Sequence, residues 1–319
     1  MSNATKQYNK KQILSLAVLA IVVLPALVLE LRFAAVNFQR NNMKAAVGDL
    51  RYNNTSQIQQ QQEQRVFPEP QVKAKAYAVY DDAEGRVIAG KNENALLPLA
   101  SVTKIFTSII ALQHLNPDTI ITIKQEDLAT EGNSGLKAGE KWRLKTLISY
   151  MLTVSSNDAA SALERTLKNK THKNYKDLFA QTAAKIGLQE SFAVNPSGLD
   201  ESVNFSGAYG SAAEVSKALA YAAKNYPDIF APTTKRELEF TSLSGYKHIA
   251  RNTNQSIPEI FNAIASKTGF TDLAGGNLAV AFEIEPGHVI TIAALGSDKT
   301  GRFEDIKKLY KSVIQYYSN

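Results

Sequence analysis

The chain has 319 residues, 44% of them hydrophobic and 21% charged, with a formal net charge of +6. This is the balance of a globular protein with a sizeable buried core. It has no cysteine, and its histidines, His114, His172, His248 and His288, are scattered, which excludes a disulfide framework, a thiolate zinc site and a cysteine nucleophile, and leaves no histidine pair at metal-ligand spacing.

Part of the basic excess lies in Lys6, Lys10 and Lys11, ahead of an uncharged, apolar run over residues 13–29. No basic stripe interleaves with aromatics, so nucleic acid is not an expected partner. At about 1.5 Å per residue the run gives roughly 26 Å of helix, close to a hydrocarbon core of about 30 Å. The preceding lysines then predict a cytoplasmic N-terminus over 1–12, a transmembrane signal-anchor over 13–33, and a single-pass plasma-membrane protein whose remainder is extracytoplasmic. A cleaved signal peptide is the alternative; small residues for its cleavage site are hard to find, with Phe33 and Ala35 the nearest. Residues 34–72, with Asn53, Asn54, a glutamine run over 59–62, Pro68 and Pro70, read as a spacer or stalk. The catalytic domain is expected over 73–319.

Tyr77 and Val79, then Val87 and Ile88, flank turn residues from Asp81 to Gly85 and predict a hairpin. Ile105, Ile109 and Leu112 recur at helical spacing after Ser101 until Asn116-Pro117 stops the pattern. Leu144, Leu147, Ile148, Met151 and Leu152 form a second helical face, a small-residue helix follows through Ala159, Ala160 and Leu163, and residues 175–186, closed by Gly187, form another. Extended runs over 277–284 and 289–295 meet through Glu285-Pro286-Gly287-His288, and residues 303–317 read as a terminal helix. Strands at both ends with helices between predict an α/β protein of the α+β type, in which a mainly antiparallel sheet built from both ends of the catalytic domain is flanked by helices.

Ser101-Val102-Thr103-Lys104 opens the first strong helix, and a spacing of three puts the serine and lysine on one face. A serine hydroxyl needs a base to become nucleophilic, and a neutral lysine amine can serve. From an ordinary pKa of about 10.4, that lysine must fall by roughly 3 units, worth about 4 kcal/mol, through burial and a second cation. The helix N-terminus also favours negative charge developing at Ser101. Ser134-Gly135-Leu136-Lys137 and Ser244-Gly245-Tyr246-Lys247 repeat the spacing without opening an apolar helical pattern. Ser155-Ser156-Asn157 lies between two helices, where Ser155 can relay a proton and the Asn157 amide can clamp a substrate carbonyl and orient Lys104. A polar helix cap is the plainer reading of that tripeptide. Lys267-Thr268-Gly269 follows an extended run; Lys267 is the candidate second cation and carboxylate partner, and Gly269 lets a substrate backbone pass close. Lys299-Thr300-Gly301 repeats the letters in the loop before the terminal helix.

In this order the three elements resemble the penicillin-recognising serine enzymes. The closer resemblance is to the D-alanyl-D-alanine carboxypeptidase family of low-molecular-weight penicillin-binding proteins. It is carried by Pro98-Leu99-Ala100-Ser101-Val102-Thr103-Lys104, Gly135-Leu136-Lys137-Ala138-Gly139-Glu140, Ser155-Ser156-Asn157-Asp158-Ala159-Ala160, Asn195-Pro196-Ser197-Gly198-Leu199-Asp200, Asn252-Thr253-Asn254 and Lys267-Thr268-Gly269-Phe270-Thr271-Asp272, and runs from about Ala74 to Tyr317. The resemblance implies a beta-lactamase/transpeptidase-like fold with a helical subdomain and a site in the cleft beside the sheet. It implies a serine-type D-alanyl-D-alanine carboxypeptidase or endopeptidase that cuts peptidoglycan stem peptides ending in D-Ala-D-Ala through an acyl-enzyme, with beta-lactam antibiotics as covalent inhibitors and neither cofactor nor metal.

Carried over by position, Ser101 is the nucleophile, Lys104 the base, Ser155 and Asn157 relay and clamp, and Lys267, Thr268, Gly269, Phe270 and Arg302 bind substrate. The backbone N–H groups of Ser101 and Phe270 would form the oxyanion hole, and Arg302 a further carboxylate site. Ala265 departs from the family's usual glycine, and the separate C-terminal β domain of many relatives is missing from the sequence. A beta-lactamase of the same fold would need a glutamate to activate water. The segment from Glu164 to Lys168 fails that pattern and reads as helix surface. The other alternative, a catalytically inactive peptidoglycan-binding domain, is opposed by the intact polar set.

Overall fold

The computed structural model describes residues 66–129, 131–132 and 134–318, together with Met43. The expected N-terminal segment and signal-anchor, and the expected spacer apart from Met43 and its last residues, lie outside the described residues. Among those described, no helix is long and apolar enough to cross a membrane.

The predicted first hairpin forms as β1 (Ala76–Asp81) and β2 (Arg86–Lys91). The short β3 (Leu97–Pro98) and a 3-10 turn over Ala100–Val102 lead into α1 (Thr103–His114). Next come β4 (Ile120–Thr122), β5 (Lys141–Arg143), α2 (Leu144–Val154), α3 (Asn157–Thr171) and α4 (Tyr175–Lys185). After β6 (Phe192–Ala193) and β7 (Ala208–Gly210), which join β3 in a small sheet, come α5 (Ala212–Asn225) and the single turn α6 (Pro227–Phe230). A hairpin of β8 (Glu237–Thr241) and β9 (Lys247–Arg251) precedes β10 (Ala263–Thr271), β11 (Gly275–Glu285), β12 (His288–Ser297) and α7 (Gly301–Ser318).

The main sheet runs β10-β11-β12-β1-β2, antiparallel throughout, and pairs Ala76 with Leu295. It is therefore built from both ends of the domain, as expected. Alternation along β1 sends Ala76 and Ala78 into one core and Tyr77 and Val79 into another. The first core holds α1 to α5, and the second is closed by Phe303, Ile306, Leu309 and Val313 of α7. Small side chains on the first face, among them Ala279, Ala281 and Ala293, let helices lie close to the strands. Ala265 belongs to this face and is fully buried, so its methyl fills core volume.

Helix α5 escaped the reading of apolar spacing because its buried face is mostly alanine. Its start is marked instead by Ser211, whose side chain accepts from the Glu214 N–H. Helix α1 is buried from Thr103 to Leu112 and packs against α2, α3, α4 and α5. Any polar group on its first turn is therefore withdrawn from water.

Candidate active site

Ser101 does not open α1 as expected; it sits in the 3-10 turn before it. Ala100, at φ +49°, turns the chain so that Ser101 stands at the end of the helix and Lys104 falls on the helix's first turn. A left-handed non-glycine residue costs about 1 to 3 kcal/mol and persists where its surroundings over-determine it. Three contacts do so here. Asn277, fully buried on β11, donates from Nδ2 to the carbonyls of Pro98 and Leu99, both at 2.9 Å. Gly198 packs so tightly that a Cβ there would lie 2.0 Å from the Ala100 oxygen. On the third side is Gly269, where a Cβ would lie 2.9 Å from the Leu99 oxygen and 3.1 Å from the Ser101 nitrogen. The glycine of Lys-Thr-Gly thus serves an approach within the protein: it lets edge strand β10 run alongside the backbone of Leu99 and Ser101.

Lys104 is fully buried, and its Nζ donates to Ser101 Oγ at 2.8 Å, Asn157 Oδ1 at 2.7 Å and the Ser197 carbonyl at 3.0 Å. Each partner is a neutral acceptor, so nothing repays the lost hydration of a charge, and burial drives the amine down to about 7. Burial is the dominant cause; the second cation that the sequence suggested is present, but its repulsion falls chiefly on Lys267. That lysine is also buried, and its pKa is lowered well below the ordinary value by burial first and then by the charges of Lys104 and Arg302. Its Nζ donates to Ser155 Oγ at 2.9 Å and to the Thr268 carbonyl at 2.8 Å, while Thr268 Oγ1 lies 2.6 Å from Thr253 Oγ1.

The Ser155-Ser156-Asn157 tripeptide is both cap and site. Ser156 caps α3, its Oγ accepting from the Ala159 N–H at 3.0 Å. Ser155, the left-handed C-cap of α2 at φ +64°, is thereby turned toward Lys267. Asn157 donates from Nδ2 to the Glu131 carbonyl at 2.6 Å, which fixes its amide so that Oδ1 faces Lys104. Arg302 is brought in from the first turn of α7: it is 8% exposed and donates from Nη1 to the Gly269 carbonyl at 2.5 Å, and its Nε has no protein partner. Phe270 follows on the same strand and is 40% exposed. All nine predicted residues therefore gather along β10 and the near ends of α1, α3 and α7.

The look-alike motifs do not form a second site. Ser134 is tied to α3, donating to Asp158 Oδ2 at 2.5 Å while its Oγ accepts from Ser156 Oγ at 2.8 Å. Ser244 accepts from the Lys141 N–H at an exposed turn. Lys299, however, is not remote: its amine lies 5.2 Å from the centre of the Phe270 ring. Glu164 also departs from the helix-surface expectation. With Asn157, Ser161, Ser197 and Glu201 it lines a cavity of about 280 Å³, and burial raises its carboxyl above the usual range. A neighbouring cavity of about 460 Å³ is lined by Glu131, Leu199, Asp200, Val203, Phe270 and Leu273.

A family model described as D-alanyl-D-alanine carboxypeptidase matches residues 60–297. The chain belongs to this family. It is thus a serine peptidase of the D-alanyl-D-alanine carboxypeptidase family, with the mixed fold of penicillin-binding proteins. It is 30% identical over 211 residues to D-alanyl-D-alanine carboxypeptidase DacB2 of Mycobacterium tuberculosis, covering 65% of this chain and 69% of that one. It is 30% identical over 209 residues to a D-alanyl-D-alanine endopeptidase of Haemophilus influenzae, covering 64% of this chain and 69% of that one. The crystal structure of penicillin-binding protein D2 of Listeria monocytogenes in a cefotaxime-bound form matches with a TM-score of 0.65 and 26% identity, covering 77% of this chain and 98% of that one.

Three parts of this family peptidase's site went unread in the sequence. The Ser197 carbonyl is a backbone group with no residue-type signature; its only trace is the glycine beside it, at φ +75°. Asn277 was visible as a lone amide opening an apolar strand, and Thr253 as the centre of Asn-Thr-Asn, yet neither spacing pointed to its partner.

Proposed function

We propose that the protein hydrolyses the D-Ala-D-Ala end of peptidoglycan stem peptides through an ester on Ser101. The observation that carries this is the Lys104 amine, buried, 2.8 Å from Ser101 Oγ and poised at about 7. Neutral Lys104 takes the Ser101 proton as Oγ attacks the carbonyl carbon of the penultimate D-alanine. The oxyanion is received by the N–H groups of Ser101 and Phe270, donors typically worth about 3 to 4 kcal/mol each. Ser155, bonded to Lys267, passes its proton to the departing amine and is refilled by the one Lys104 took from Ser101, which leaves Lys104 neutral again. Lys267, Thr268 and Arg302 hold the terminal carboxylate. Two cations beside the leaving group favour a free α-carboxylate next to the scissile bond, which suits carboxypeptidase cleavage and any crosslink ending in that group. Water, deprotonated by Lys104, then releases the shortened peptide. A beta-lactam that acylates Ser101 occupies the same place.

Residues 13–33 are read as the plasma-membrane anchor that holds this domain outside; the lysines before the run support the orientation. A fluorescent penicillin is expected to label wild type and Ser134→Ala but not Ser101→Ala, and labelling that follows Ser134 instead would refute the assignment. Products released from intact and predigested peptidoglycan distinguish terminal from crosslink cleavage. Membrane fractionation and accessibility to external protease test the anchor; a mature N-terminus after Ala35 would overturn it.

A further inference from the structure

The cations left over from the catalytic cleft are not evenly spread. Lys168, Lys170, Lys173 and Lys176 are all exposed at the end of the helical half where α3 turns through His172 into α4, and Lys185 is exposed at the far end of α4. Among the described residues, none of the five forms an ion pair. Helix ends explain part of this, because Lys168 and Lys170 lie in the last turn of α3 and Lys185 in that of α4, where cations complement the dipole. Lys173 and Lys176 flank the start of α4, where a cation opposes the dipole, and that turn's acid, Asp177, accepts from Asn174 Nδ2. Lys173 Nζ donates to Gln181 Oε1 at 2.8 Å, and Lys168 acts on the partly buried Glu164 one helical turn before it. His114, at the end of α1, is held below its ordinary pKa by burial and then by the charges of Lys173 and Lys185.

Two features define what such a ridge fits. No large hydrophobic side chain is exposed over residues 164–190, and Tyr175 and Phe179 are buried, so the ridge has nothing to insert into a bilayer and no ring on which bases would stack. It also lies across the sheet from the point where the chain enters the domain: Phe67 packs on Tyr316 of α7 at 5.7 Å, within the core opposite α1, α3 and α4. We propose that this ridge binds a linear polyanion with repeated phosphate groups, at a site separate from the catalytic cleft. Helix α3 carries Asn157 at its catalytic end and Lys168 and Lys170 at the other, roughly 17 to 20 Å away at about 1.5 Å per residue. A bound polymer leaves the cleft open.

The test uses the full chain in detergent and long-chain inorganic polyphosphate as probe, with affinity followed against salt. Replacing Lys168, Lys170, Lys173 and Lys176 by glutamate is expected to weaken binding at least tenfold and to flatten the log–log salt dependence by about 3, the counterion release of four contacts to a single-stranded polyanion. A control with the same change of net charge, glutamate at Lys75, Lys235, Arg236 and Lys311, is expected to bind nearly as wild type. Penicillin acylation serves as the folding check and is expected unchanged in both, and its failure in wild type would count against the peptidase reading alone. Equal loss in the two variants would reduce the effect to net charge and overturn the proposal. So would the absence of wild-type binding at physiological salt, or patch-dependent binding to phosphatidylglycerol vesicles as strong as to polyphosphate.

Discussion

If neutral Lys104 is the base, acylation should titrate with its amine. The folded-state value of about 7 against an ordinary 10.5 corresponds to about 5 kcal/mol of discrimination against the charged form, at 1.36 kcal/mol per unit. The neutral fraction is then about a tenth at pH 6 and nine-tenths at pH 8, so the acylation rate should rise roughly ninefold between them and level off above pH 8. An amine at its ordinary value would give a hundredfold rise and no plateau before pH 10. Because burial alone brings Lys104 to about 7, and the repulsion between the two amines falls on Lys267, Lys267→Met should lower the plateau and leave the break near 7. The same displacement bears on stability. The folded pKa lies below the unfolded one, so between about 7 and 10.5 the unfolded chain holds a proton that the folded chain has released, and stability rises with pH across that window. Lys104→Met removes this penalty and should gain on wild type as pH falls from 10.5 to 7. Stopped-flow acylation with a chromogenic cephalosporin over pH 5.5 to 10 supplies the profile. A log-linear rise without a break, or a rate flat across the range, would refute the role given to Lys104.

The two Lys-Thr-Gly copies offer a matched comparison: Lys267→Ala should lower acylation at least tenfold through loss of a charged hydrogen bond worth roughly 1.5 to 3 kcal/mol, and Lys299→Ala, which loses an exposed cation–π contact of about 0.5 to 1 kcal/mol, no more than a few-fold; the reverse order would displace the site. Gly269→Ala forces a methyl against the Leu99 carbonyl and the Ser101 nitrogen, so acylation should fall at least tenfold and thermal stability by about 1 to 3 kcal/mol; wild-type acylation in this variant would show that β10 does not approach as described. Asn277→Leu leaves the Pro98 and Leu99 carbonyls and the Gly296 N–H without their partner, at about 1 to 3 kcal/mol for each buried group, and should lower both the melting temperature and the acylation rate; a drop in melting temperature alone would remove the part of this reasoning that concerns Ala100.

The elements with strong periodicity were legible. Apolar spacing announced α1, α2 and α4, because each buries one face, and continuous apolar runs announced β11 and β12, because the sheet is covered on both faces. The alanine-lined α5 and the short β3-β6-β7 sheet were not, since small residues and two-residue strands leave almost no pattern. The side-chain members of the candidate site could be read because their chemistry is restrictive, and the three motifs that the sequence puts in order are brought together around Lys104 and Lys267. Backbone participants were silent: the Ser197 carbonyl and the left-handed turn at Ala100 depend on how the 195–200 loop meets the nucleophile from another part of the chain. Glu164 was misread because a helix wheel shows which way a side chain faces and not whether a loop comes to cover it.

The pairing of Ala76 with Leu295 has a bearing on the order in which this enzyme comes into being. Strand β1 is among the first parts of the domain to be synthesised, yet both its neighbours cannot be in place until the last strand has left the ribosome. Lys267 and the Gly269 approach to Ser101 likewise arrive near the end. A fragment that ends before β12 lacks the strand that joins β1 to β11, and such long-range closure is slow by the standards of local folding. The sheet that brings Lys267 and Gly269 to Ser101 is therefore completed only by the last strands of the domain.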